Sequence, residues 1–131
     1  MKVYLDTNIL ISAVDEKDSL HEEALQLIDE YRDMERITSE LTLIELASVY
    51  SRAGFNEPHV YALATIKTMK TKIIKIDFNK VLTNAFKYSG IVKLRTLDLL
   101  HVMAAIMMGA NYFMTFDKDI INRKEIVKRL G

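Results

Sequence analysis

Three short β-prone runs, Val3–Leu5, Ile73–Ile76 and Tyr112–Thr115, are set apart by long stretches with helical periodicity. Antiparallel neighbours need only a tight turn between them, whereas parallel neighbours need a crossover, usually a helix. The order of elements therefore predicts an α/β fold with a mainly parallel sheet.

The helical stretches carry their own punctuation. Leu20, Ala24, Leu27, Ile28 and Tyr31 fall on one face of a helix over Leu20–Arg32 whose other face is acidic. Ser39 is placed to cap a helix running to Arg52 and stopping at Gly54, and Pro58 opens another that ends near Thr71. Asp77 or Asn79 opens the helix that carries Val81, Leu82, Ala85 and Phe86. Thr96 is expected to cap a strongly apolar helix over Leu97–Met108, closed by Gly109. The tail from Lys118 to Gly131 fits one or two short helices or an edge strand equally well.

At 131 residues, 50% of them hydrophobic, with 4 Gly and 1 Pro, residues 1–131 are expected to form one domain. Such a chain buries roughly two-thirds of its unfolded surface and needs no staple, in keeping with its 0 Cys. No apolar run approaches the ~18 residues of a membrane span, and Lys2 leads directly into Val3–Asp6 without a signal-type apolar region, so a cytoplasmic location and no membrane partner are expected. The net charge of 0 disfavours a strongly basic nucleic-acid-coating protein. Its distribution is uneven, however: residues 15–40 sum to −7 and residues 41–131 to +7. A polyanion would be oriented by that asymmetry, although solvated helix faces account for it equally well.

The chemistry lies in charges that interrupt uncharged stretches. Asp6 is the lone charge of residues 3–14, Glu45 of residues 41–51, and Asp98 of residues 96–116, with His101 one turn later and Asp117 immediately beyond. A carboxylate in such surroundings loses hydration worth several kcal/mol unless it is paired, hydrogen-bonded, protonated or bound to a metal. In an α/β fold, Asp6 and Asp117 follow parallel strands at the carboxyl edge of the sheet, where ligands bind. Asp98 lies in the first turn of its helix, and Glu45 lies on the stripe Thr42, Glu45, Ser48 and Arg52. Two carboxylates ~4 Å apart repel by about 1 kcal/mol in water and about 4 kcal/mol at an effective dielectric of about 20, a sign that a divalent cation reverses. An all-oxygen set without Cys points to Mg²⁺ or Mn²⁺, which suits phosphodiester hydrolysis.

Each acid also has a structural alternative: Asp6 as a helix cap, Glu45 in an ion pair with Arg52 or Lys2, Asp98 as a dipole partner, Asp117 as a turn acid. All four alternatives must hold together for the shared site to vanish. His101 reads as a hydrogen-bonding neighbour rather than a ligand, and Met103, Ile106, Met107 and Met108 as core. Asp77 reads as a cap and Asp119 as a possible outer acid.

These residues resemble the PIN-domain family. VYLDTNILISA is similar to its opening strand, Glu45 takes the second acidic position, and LDLLHVMAAIMMGANYFMTFDKDI contains the third and fourth acidic motifs in order. The resemblance implies a three-layer PIN-like fold and gives Asp6, Glu45, Asp98 and Asp117 the role of catalytic, metal-binding acids. Thr7, Asn8 and Thr115 match the polar residues that order them, and His101 matches a common but not universal position. The short single-domain length resembles the VapC-type toxins of toxin-antitoxin pairs. That implies a Mg²⁺- or Mn²⁺-dependent endoribonuclease, an RNA substrate, a cognate antitoxin and a homodimer. Lys67, Lys70, Lys72 and Arg95 are candidate phosphate contacts. The alternatives are a PIN-like module that binds RNA or protein without cutting, and a receiver-type phosphoacceptor. The receiver lacks its paired acids here, and an Asp-x-Asp phosphatase fails because Asn8 fills the second place.

Overall fold

The computed structural model describes residues 1–123. The chain runs β1 (Lys2–Leu5), α1 (Thr7–Val14), α2 (His21–Glu30), β2 (Glu35–Thr38), α3 (Glu40–Arg52), α4 (Pro58–Thr68), β3 (Lys72–Ile73), α5 (Phe78–Val92), α6 (Thr96–Met107), β4 (Tyr112–Met114) and α7 (Lys118–Ile121). Among the described residues the four strands form one sheet in the order β3-β2-β1-β4, with every pairing parallel. The α/β expectation holds, and β1 lies in the interior of the sheet with Tyr4 opposite both Ile37 and Phe113.

Strand alternation then divides the core into two. Tyr4 and Ile37 face Val81, Ala85, Val92, Leu99, Val102 and Met103 of α5 and α6. Val3, Leu5 and Met114 face Ile9, Leu10, Leu46, Ala62 and Ile66 of α1, α3 and α4. Helices therefore cover both faces, the three-layer arrangement. Burying each of these aliphatic side chains is worth about 1.5–3 kcal/mol, which secures the register that sets Asp6 beyond the end of β1.

Several boundaries differ from the sequence reading, each for a local reason. β2 was not foreseen: its first residues are Glu35 and Arg36, and only Ile37 and Thr38 are buried. β3 is two residues long rather than Ile73–Ile76, although Ile74 N–H still donates to Thr38 O at 3.0 Å. Thr96 does not cap α6. Arg95 holds the extended N-cap position, Thr96 is the first helical residue, and no side chain closes that end. Ser39 does stand at the N-cap of α3 but makes no capping bond, because its hydroxyl is engaged with Tyr4. α4 ends at Thr68 rather than Thr71, and Gly109 closes α6 at φ +74°, a left-handed backbone that suits glycine. In the tail, Ile120 and Ile121 belong to α7, while Ile126, Val127 and Leu130 lie outside the described residues. No helix among the described residues is long and apolar enough to cross a membrane.

Candidate active site

Asp6 extends the last backbone bond of β1, its N–H donating to Met114 O at 3.0 Å, and starts α1 as its N-cap. Its side chain is buried, yet both oxygens are engaged. Oδ1 accepts from the Thr7 N–H at 2.8 Å, and Oδ2 accepts from the Thr115 hydroxyl at 2.8 Å and the Asn8 amide at 3.4 Å. Thr115 in turn accepts from Asn8 Nδ2 at 3.2 Å and from the Asp117 N–H at 2.9 Å, while Asn8 Oδ1 accepts from the Phe116 N–H. Thr7, Asn8 and Thr115 thus bind the end of β1 to the end of β4. Asp6 is both the cap and a member of the acid cluster, so its two readings were never exclusive.

Glu45 projects from α3 and is half-buried. Its Oε1 accepts from the Thr7 hydroxyl at 2.8 Å and from His101 Nε2, whose ring is 1% exposed in α6. His101 Nδ1 meets the Tyr4 hydroxyl at 2.7 Å, and Tyr4 meets Ser39 Oγ at 2.7 Å. Glu45 therefore pairs with His101 rather than with Arg52 or Lys2. Ligand atoms of Asp6, Glu45 and His101 lie within 4.8 Å of one another.

Asp98, in the first turn of α6, and Asp117, at the N-cap of α7, complete the set. The Asp98 carboxyl is pushed up to about 6, first by burial, then by the neighbouring Asp117 carboxyl and the charge of Asp6. Burial likewise raises Asp6, against the charge of His101 and the Thr115 and Thr7 bonds. Burial pushes Glu45 up too, but its bonds from His101 and Thr7 outweigh that and hold it below its ordinary value. Tyr4 is pushed up to about 12 by burial. The structure thus brings Asp6, Glu45 and His101 together, His101 bonding to Glu45, while Asp98 lies near enough to Asp117 and Asp6 to feel their charges.

The donor set fits a hard divalent cation. Every acid supplies oxygen, two of them are raised by burial and by neighbouring negative charge, and no Lys or Arg forms an ion pair with any of them among the described residues. Tyr4 and Ser39 were missed as members of the site. In the sequence Tyr4 is simply the middle of an apolar run; the one available signal was that a buried tyrosine hydroxyl must find a partner.

Of the proposed phosphate contacts, Arg95 holds the N-cap of α6, three residues before Asp98. Lys72 points elsewhere, its Nζ lying 4.0 Å from Glu35 at the start of β2. A cleft of about 540 Å³ opens beside Thr115 and Phe116 and is bounded by Leu20, Glu23, Leu27 and Glu30.

The model of the PIN domain family matches residues 3–126. The chain belongs to the PIN-domain family. No curated protein sequence matches it. Among solved structures, this PIN domain is similar to the crystal structure of Mycobacterium tuberculosis VapC20, described as a Sarcin-Ricin loop cleaving toxin. That likeness has a TM-score of 0.72 at 16% identity and covers 92% of this chain and 93% of that one. It is also similar to VapBC2 from Rickettsia felis bound to a DNA fragment from their promoter, with a TM-score of 0.69 at 21% identity, covering 94% of this chain and 92% of that one. At these identities the likeness is one of fold, and it extends over nearly the whole PIN domain.

Proposed function

We propose that this PIN domain is a Mg²⁺- or Mn²⁺-dependent endoribonuclease in which Asp6, Glu45, Asp98 and Asp117 hold the cation. The observation that supports the reading is the grouping of Asp6 and Glu45 ligand atoms, with those of His101, within 4.8 Å, and an Asp98 carboxyl raised by burial and by the neighbouring charges of Asp117 and Asp6. A divalent cation held by these acids would neutralise charge at the phosphodiester and lower the pKa of a bound water, chemistry suited to hydrolysis that leaves 5′-phosphate and 3′-hydroxyl ends.

The chain's own residues set the geometry. Thr7 joins Asp6 to Glu45, giving its N–H to the first and its hydroxyl to the second. Thr115 joins Asp6 to the Asp117 backbone, so the acids of the two strand ends move as one body. Arg95 is placed to meet a backbone phosphate beside Asp98 as a positioning charge. Glu23 and Glu30, together with Lys118, line the neighbouring cleft. The likeness to VapC20 and VapBC2 supports the further reading of a toxin restrained by a cognate antitoxin, acting in the cytoplasm as a homodimer.

The test is cleavage of a total RNA pool by purified protein with and without Mg²⁺. Cleavage that requires the cation and disappears in Asp98→Asn, with the fold retained, is the expected result. Binding of RNA without turnover in Mg²⁺ or Mn²⁺ would favour the non-cutting module instead.

A further inference from the structure

The acids of the cluster are held in unequal ways, and Glu45 depends on the longest chain of contacts. Both of its hydrogen bonds fall on Oε1, from Thr7 and from His101, and Oε2 has no hydrogen-bond partner among the described residues. The bonds thus leave one oxygen available to a cation. His101 is itself held at both ring nitrogens: Nε2 by Glu45 and Nδ1 by Tyr4. Tyr4 is 0% exposed, in the interior strand β1, with its ring stacked on Phe113 at 5.0 Å and its hydroxyl against Ser39.

Resting on the cation-site reading above, we propose that Tyr4 is a positioning residue. Through the buried chain Ser39–Tyr4–His101–Glu45, it fixes the imidazole so that Glu45 is clamped by Oε1 and presents Oε2 to the cation.

The proton count supports this chain. A carboxylate oxygen only accepts, so Nε2 carries the hydrogen toward Glu45. In the neutral ring Nδ1 is then the acceptor, Tyr4 donates to it, and Ser39 donates to Tyr4. Every member has a partner, and no buried side-chain nitrogen or oxygen among the described residues lacks one. A half-satisfied buried network would be worse than none, so each link has a reason to persist. The mechanical logic is equally direct. Glu45 lies a turn inside α3 on a flexible side chain, whereas β1 is hydrogen-bonded on both edges. Tyr4 lends the rigidity of the sheet to an acid that its own helix leaves free to swing, as partners behind metal ligands do in general.

The experiment measures Mn²⁺ affinity of the full chain by titration for wild type, Tyr4→Phe, Ser39→Ala, His101→Gln and the Tyr4→Phe/His101→Gln double variant. Tyr4→Phe keeps the ring and its stacking and removes only the hydroxyl. It is expected to weaken Mn²⁺ binding about tenfold, at the lower end of the roughly 10–100-fold typical for residues behind the ligands. Ser39→Ala should weaken it less, and the double variant no more than His101→Gln alone. In imidazole nitrogen NMR, the His101 Nδ1 signal should shift in Tyr4→Phe, as should the Glu45 carboxyl carbon. Wild-type affinity in Tyr4→Phe, or an undiminished Tyr4→Phe effect in the His101→Gln background, would overturn the proposal. If wild type takes up no Mn²⁺, the functional reading fails by itself. The Glu45 carboxyl signal then decides the relay, a shift in Tyr4→Phe supporting it and an unchanged signal overturning it.

Discussion

Asp6 and Glu45 on one side of the cluster, and Asp98 and Asp117 on the other, carry the same charge but are held differently. Asp6 receives three hydrogen bonds and Glu45 two, from Thr7, Asn8, Thr115 and His101. Asp117 receives one, from the Asp119 N–H at the start of α7, and Asp98 has only Asp117 opposite. One half is organised by the protein. The other half is two like charges facing each other, and such a pair is relieved by a shared proton or by a cation. The first half is oriented by hydrogen bonds from the protein, the second chiefly by its own charges.

The largest effect separates presence from absence of the cluster. Asp6→Asn and Asp98→Asn should each lower Mg²⁺-dependent RNA cleavage by more than about 100-fold, beyond the range typical of residues that act from behind the ligands. Retention of activity in either would remove that residue from the set.

pH should sharpen the contrast next. Because Asp98 is pushed up to about 6, the fraction ionised grows about tenfold between pH 5 and 7, and Mg²⁺ affinity should rise by a similar factor before levelling. The sign for stability is opposite. A folded pKa above the unfolded value of about 4 means the Asp98 contribution is present below pH ~4 and lost as pH rises through ~6. Asp6 shifts the same way and Glu45 the other. The metal-free melting temperature should therefore fall from pH 4 to 7, and saturating Mg²⁺ should remove the fall. A metal-free melting temperature that rises over this range would show that repulsion does not govern this half.

The two halves should then part company in stability. Asp98→Asn removes a repelling charge and should raise the metal-free melting temperature by roughly 1–4 °C, as up to about 1 kcal/mol does in a domain of this size. Asp6→Asn replaces an acceptor oxygen facing Thr115 and Asn8 by a donor, costs about 1–3 kcal/mol, and should lower it. Shifts in the same direction would break the comparison. The smallest effect lies at the rim: Arg95→Ala should raise KM for RNA about threefold and reduce the salt slope of binding by about 1, with kcat retained.

How much of this could be read from residues alone follows the same division. Asp6, Glu45 and Asp98 stand out because each is a lone charge in an apolar stretch, and the parallel sheet because helical segments separate the strand-like runs. β2 was hidden because Glu35 and Arg36 look like the end of an acidic helix, and only Ile37 and Thr38 are buried, by lying between β1 and β3. The Thr96 cap failed because residue type alone does not say whether a hydroxyl sits at N-cap or one place later. Tyr4 and Ser39 escaped notice because their partners are 97 and 35 residues from Tyr4, a distance no local pattern spans.

β1 lies in the interior of the sheet, and its neighbour β4 follows it in the chain only after β2, β3 and six helices. A ribosome therefore delivers Asp6 long before the Met114 carbonyl and the Thr115 hydroxyl that fix it. Until β4 emerges, the nascent polypeptide owns neither a closed flank for its first strand nor its fourth acid. The Asp6 corner therefore closes only once β4 has joined the sheet.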